Sequence, residues 1–134
     1  MKSKPTQPAI EHEDYESKLW WYKAEMIDVV DGDTLDVMID QGFHARRKER
    51  VRLLGVNAPE MTGKTKVAGQ KAKYFVEELI YNNGWFCYIR TSKTDAFGRY
   101  LADVYWSGLQ DSLSDMLIKS GHATKWSRSE KENH

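Results

Sequence analysis

The sequence predicts a mainly β protein with helices (α+β), in which five strands close into a small barrel, a helix separates strands three and four, and a short helix ends the domain. Two observations carry this class. Runs rich in aromatic and β-branched residues recur between Gly, Asp and Asn turn signals, and residues 67–80 alone break into long three- and four-residue apolar steps. The scale agrees: 134 residues with 40% hydrophobic content can bury one modest core and are not the composition of a disordered chain.

The first run, LWWYKAEMIDVV at 19–30, is strand-like and is stopped by the turn signal DGDT. In the next, Leu35, Val37 and Ile39 alternate onto one face of a second strand, so the pair reads as a hairpin. QGFHARRKER reads as a polar connection to a third strand, VRLLGV at 51–56, which ends where Pro59 cannot continue a ladder. Ala68, Ala72, Phe75, Val76, Leu79 and Ile80 then share one helical face, stopped by NNG. WFCYIRT and RYLADVYW supply strands four and five around the loop SKTDAFG. Leu109, Leu113, Met116 and Leu117 mark the short last helix, with Gly121 as its C-terminal stop. This order is that of an OB-fold-type barrel with a helix plugging one end.

Residues 1–18 hold two prolines, four acids and three lysines with almost nothing to bury and read as a flexible arm; residues 19–126 form the barrel domain, and 127–134 a polar tail. Twenty basic residues balance twenty acids, for a formal net charge of +0, which excludes a chain that coats nucleic acid indiscriminately. A single cysteine, Cys87, excludes a disulfide scaffold and reads as core. No stretch is apolar enough to span a bilayer or to serve as a signal sequence, so no membrane partner and a cytoplasmic location are expected.

Three segments place charged groups in turns or at strand ends, where a rigid frame presents them to a ligand. In DGDT, Asp31 and Asp33 flank a glycine and could converge on a hard cation. In RLLGVNAPE, Arg52, Asn57, the Ala58 carbonyl and Glu60 combine a cation, neutral oxygens and a carboxylate. In DAFGRYLA, Arg99 follows a glycine at a strand start, where a guanidinium can grip a phosphate with two parallel hydrogen bonds. Singly, each is as readily an ordinary turn or a solvated arginine.

In this order and spacing, VVDGDTLDV, VRLLGVNAPE and TDAFGRYLADVY resemble the signature of the staphylococcal nuclease (thermonuclease) family, over roughly residues 22–126. The resemblance implies a five-stranded barrel and a metal-dependent phosphodiesterase that cuts DNA and RNA, typically with calcium (Ca2+), leaving 3′-phosphate ends. It also implies the roles: Arg52, Glu60 and Arg99 match the catalytic arginines and glutamate, Asp33 the metal-binding aspartate, and Asp31 an acid acting through water. Asn57 stands where well-studied members carry a second metal-binding Asp, and Ala58 would offer its carbonyl. One negative charge fewer should weaken calcium binding or admit other divalent ions.

Arg46, Arg47, Lys48, Arg50 and Arg52 against Glu49 give a local excess of four positive charges. Either a basic hairpin follows a nucleic-acid backbone there, or a solvated loop guards a strand edge. Phe97 and Trp126 are candidates to stack on bases. The four histidines share no ligand spacing and are assigned no role. The short tail leaves the barrel without a long final helix, so cover is expected from Tyr15, Leu19, Trp20 and Trp21 or from a second copy in a homo-oligomer. The rival function is a catalytically silent barrel that binds nucleic acid or protein; retention of Asp33, Arg52, Glu60 and Arg99 favours the enzyme.

Overall fold

The computed structural model describes residues 11–94 and 96–126. Five long strands make a closed barrel: β1 (Trp21–Asp31), β2 (Thr34–Asp40), β3 (Arg46–Leu53), β5 (Phe86–Thr94) and β6 (Tyr100–Tyr105), in the order β1-β2-β3-β6-β5. All neighbours are antiparallel except β3 and β6, and pairing of Trp21–Glu25 with Phe86–Arg90 closes the ring. Alternation drives this closure: Leu35, Val37 and Ile39 of β2 point inward to meet Ala24, Met26, Val51, Ile89 and Val104 in one core. Strands β4 (Val56–Asn57) and β7 (Thr124–Lys125) pair outside the barrel.

The helix α2 (Lys66–Asn83), preceded by a 3-10 turn at Gly63–Thr65, covers one end and buries Gly69, Ala72, Val76 and Ile80. Two glycines set how closely it sits. A side-chain carbon on Gly32 would come within 2.8 Å of both Ala72 and Ala58, and one on Gly69 would lie 2.6 Å from the Glu60 carbonyl oxygen. Helix α3 (Leu113–Lys119) buries Leu113 and Leu117. Its first turn is capped by Ser112, whose Oγ accepts from the Asp115 N–H at 3.1 Å. At its other end Gly121, with φ 79°, lets the N–H groups of Gly121 and His122 reach back to Ile118 and Leu117 at 3.0 and 2.9 Å.

Three sequence expectations change. The third strand starts at Arg46 rather than Val51, so most of the supposed polar connection is strand. It lacks apolar alternation, yet its backbone pairs with β2 along its length, and cross-strand ion pairs (Arg50 to Asp36, Arg46 to Glu25 on β1) support it from the side chains. It stops at Leu53, because Gly55 turns the chain at φ 83° into β4. Second, within the expected flexible arm, Glu11–Lys18 forms helix α1; residues 1–10 and 127–134 lie outside the described residues. Third, of the residues expected to cover the barrel, Tyr15, Leu19 and Trp20 remain exposed, while Trp21 meets a barrel ring, Tyr105, at 5.3 Å.

Candidate active site at the α2 end of the barrel

The β1–β2 turn folds on itself because the Asp31 carboxylate accepts the Asp33 N–H at 3.2 Å, an Asx-type turn across Gly32. Asp33 is thereby turned inward and is only 8% exposed. Its Oδ1 accepts from the Thr34 hydroxyl at 3.1 Å, and its Oδ2 accepts from the Ala58 N–H at 2.8 Å and from Arg52 at 3.3 Å. Arg52, at the end of β3, is 7% exposed. Its guanidinium donates to the Val56 carbonyl at 3.1 Å and to the Leu53 carbonyl at 3.5 Å, and reaches the Asn57 side-chain oxygen through Nη2. The Trp126 ring lies 5.4 Å from it, held there by the Trp126 N–H on the Gly55 carbonyl at 2.8 Å.

The fold therefore brings together Asp31, Asp33, Arg52, Asn57, Ala58 and Trp126 from the β1–β2 turn, β3, β4 and the segment after β7. Glu60 and Arg99 stand outside this hydrogen-bonded cluster. The Glu60 main-chain oxygen accepts from the Thr65 hydroxyl at 2.7 Å, fixing the loop before α2, while its side chain faces solvent. Arg99 precedes β6, whose Leu101 pairs with Arg52, and its guanidinium lies 5.4 Å from the Phe97 ring. Phe97 is 84% exposed. Of the basic run, Arg46 pairs with Glu25, Arg47 with Glu49 and Arg50 with Asp36, so carboxylates offset much of the expected positive excess. His122 packs on Phe75 at 4.7 Å, far from a ligand role. Sequence reasoning missed Thr34, whose hydroxyl orients Asp33, and Gly69, which seats the Glu60 loop; the T of DGDT was the available signal for the first.

Burial, then the neighbouring Asp33, pushes the Asp31 carboxyl up to about 6 from its ordinary 3.8. A carboxyl raised on folding contributes stability that is fully present below its unfolded value near 3.8 and is lost as pH rises through about 6. Asp31→Asn keeps the oxygen that accepts the Asp33 N–H and removes the charge. In the presence of chelator the variant is expected to melt a few degrees above the wild type at pH 7 and to match it at pH 3.5, with thermal melts across this range as the check.

Fold and cluster define a class: an OB-type five-stranded barrel with a carboxylate–guanidinium group at the end that its long helix covers. A model of the staphylococcal nuclease homologue family matches residues 50–134, well over half of the chain, and spans Arg52, Asn57, Glu60 and Arg99. The chain belongs to the staphylococcal nuclease homologue family. Among curated relatives, micrococcal nuclease of Shigella flexneri is 29% identical over 109 residues, covering 76% of this chain and 57% of that protein. Protein ParB of Escherichia coli is 29% identical over 83 residues, covering 62% and 41%. Probable staphylococcal-like nuclease CAN2 of Oryza sativa subsp. japonica is 31% identical over 77 residues, covering 58% and 19%. The chain spans less than two thirds of the length of each of these relatives. Among the described residues, no helix is long and apolar enough to cross a membrane.

Proposed function

We propose that this chain is a calcium-dependent nuclease that hydrolyses phosphodiester bonds of DNA or RNA at the Asp33–Arg52–Asn57 cluster. The observation that carries this is the buried Arg52 guanidinium, lodged between an aspartate and an amide oxygen at the rim of a barrel end. A guanidinium suits a phosphate, which needs both charge neutralisation and fixed hydrogen-bond donors, and the carboxylate and amide oxygens beside it are of the type that holds a hard cation. The names of the micrococcal and staphylococcal-like nuclease relatives support the same reading.

The donors fit a hard cation by type: the Asp33 and Asp31 carboxylates, the Asn57 amide oxygen and the Ala58 carbonyl are all oxygens. They fit it with low charge. Among the described residues no three His, Cys, Asp or Glu side chains converge, and Arg52 already engages both Asp33 and Asn57. Asp33, Asn57 and the Ala58 carbonyl would hold the calcium ion in place of the Arg52 contacts to the first two, and the ion would supply Lewis-acid polarisation of the scissile phosphate. Arg52 and Arg99 bind phosphoryl oxygens and stabilise the charge that grows on them. The Glu60 carboxylate, exposed on its loop, orients or deprotonates the attacking water. Asn57 lowers the affinity for calcium relative to a site with a second aspartate there, so millimolar rather than micromolar metal should be needed.

The test is incubation of plasmid, single-stranded DNA and RNA with calcium, magnesium, manganese or chelator. Cleavage that calcium supports and chelator abolishes is expected; intact substrate under every condition overturns the proposal. A second reading, a silent nucleic-acid-binding barrel, is favoured by the engagement of Arg52 with both Asp33 and Asn57, and binding without cleavage would support it.

Arg46, Arg47 and Lys48 extend this site as backbone contacts. With Glu25 and Glu49 already paired to the two arginines, replacing all three by Ala is expected to lower the salt slope of oligonucleotide binding by about one unit rather than three. Titrations at several salt concentrations measure it, and an unchanged slope leaves these residues as solvated strand surface.

A further inference from the structure

Among the described residues, the barrel end opposite α2 is open, and the proposed hydrolytic step does not use it. A cavity of about 240 Å³ lies in this mouth, floored by Tyr22, Ile39, Val51 and Leu101 and rimmed by Trp20, Tyr100 and Arg47. Trp20 is a bulky residue held at φ 70°, a backbone region that costs energy for any residue with a side chain, and the residue is 59% exposed. The conformation is fixed from β5: the Thr91 N–H donates to the Trp20 carbonyl at 2.9 Å. Across the mouth, Tyr100 is oriented by Arg47, whose guanidinium donates to the phenol oxygen at 3.4 Å and lies 5.7 Å from the ring.

We propose that this mouth binds one nucleobase of single-stranded nucleic acid, stacked on Trp20 and Tyr100, while the strand's backbone follows β3 toward Arg52. The proposal rests on the nuclease reading above and names a further contact for its substrate. Three observations select a base. The two charged residues that line the mouth, Arg47 and Glu49, pair with each other, so its interior suits a planar uncharged group while Arg47 stays at the edge for the strand's backbone. Its walls combine aromatic faces with hydrogen-bonding side chains, Gln41, Thr91 and Ser92, the combination that binds unstacked bases with little sequence preference. Its volume falls below the roughly 300–1,000 Å³ of sites for whole small ligands, which suits a single ring system. Arg47 and Arg52 lie roughly 17 Å apart along one strand and, being five residues apart, on its two faces, so the nucleic acid passes over the edge of the mouth to reach from one to the other.

The test measures binding of a fluorescein-labelled thymidine 12-mer, and of an abasic 12-mer with the same number of phosphates, to the full chain in chelator. Wild type is expected to bind the base-bearing strand about tenfold more tightly. Trp20→Leu and Tyr100→Leu, each shown to be folded by circular dichroism, should lose that preference, keep the abasic affinity and, with calcium in place of chelator, hydrolyse bis(p-nitrophenyl) phosphate, which has no base, at the wild-type rate. Two separate walls are probed, so misfolding of one variant leaves the other to decide. Wild type that binds and cleaves nucleic acid but shows no preference, or folded variants that retain it, overturns the base site and leaves the nuclease reading standing. A dimer that Trp20→Leu dissociates, with thymidine affinity unchanged, overturns it in favour of a second copy at the mouth. Wild type that neither binds nor cleaves nucleic acid overturns both.

Discussion

Replacing Glu60 by Gln is expected to cut phosphodiester cleavage by about 10²-fold or more while leaving the melting temperature unchanged within about 2 °C. The two halves of this expectation have separate origins. In the proposed reaction the carboxylate acts on the attacking water, and an amide of the same shape can neither accept that proton nor hold the charge. In the fold, what matters at this position is the backbone: its carbonyl accepts from Thr65, and Gly69 lets α2 approach it to within contact. Gln leaves both intact. The side chain faces solvent with no hydrogen bond or ion pair among the described residues, so stability has no reason to change. Rate measurements on plasmid and a thermal melt of the same sample check both halves; full activity removes Glu60 from the reaction.

Arg52→Ala is expected to do something different, losing cleavage and stability together. From sequence, Arg52 reads as a strand-end cation presented to a ligand. The structure buries it, with two main-chain carbonyls, Asp33 and Asn57 as acceptors and Trp126 against its face. Truncation leaves the Asp33 carboxylate buried without its counter-charge, a change that typically costs about 3 kcal/mol or more, and a melting temperature lower by roughly 10 °C or more follows. Arg52→Lys keeps the charge but not the planar fork and should recover part of the stability with little of the activity. Melts and rates of the three proteins side by side measure this. An Arg52→Ala protein as stable as wild type would mean that Asp33 finds its charge balance elsewhere.

Much of the barrel was legible because most of the long strands announce themselves locally. Leu35, Val37 and Ile39 alternate, DGDT turns the chain, and the apolar steps of α2 fall on one face. Strand β3 was half hidden because its outer half, Arg46–Arg50, carries no apolar alternation and is held by partners on β1 and β2. Strands β4 and β7 were invisible at two residues each, since their pairing joins positions nearly 70 apart, Val56 with Lys125 and Asn57 with Thr124. Helix α1 was masked by a composition with nothing to bury.

The candidate site divides in the same way. Residue types and spacing were enough to nominate Asp31, Asp33, Arg52, Asn57, Ala58, Glu60 and Arg99, because turns and strand ends are fixed by short-range chemistry. That Asp33 and Asn57 both engage Arg52, that carboxylates on neighbouring strands offset the basic run, and that Trp20 stands strained over an open mouth depend on closing the barrel. Sequence alone determined the class of fold and which side chains bear chemistry. Tertiary structure decided which of them meet, because hydrogen bonds between residues as far apart as Asp33 and Ala58, and burial of a charge such as Arg52, exist only once distant strands pack around them.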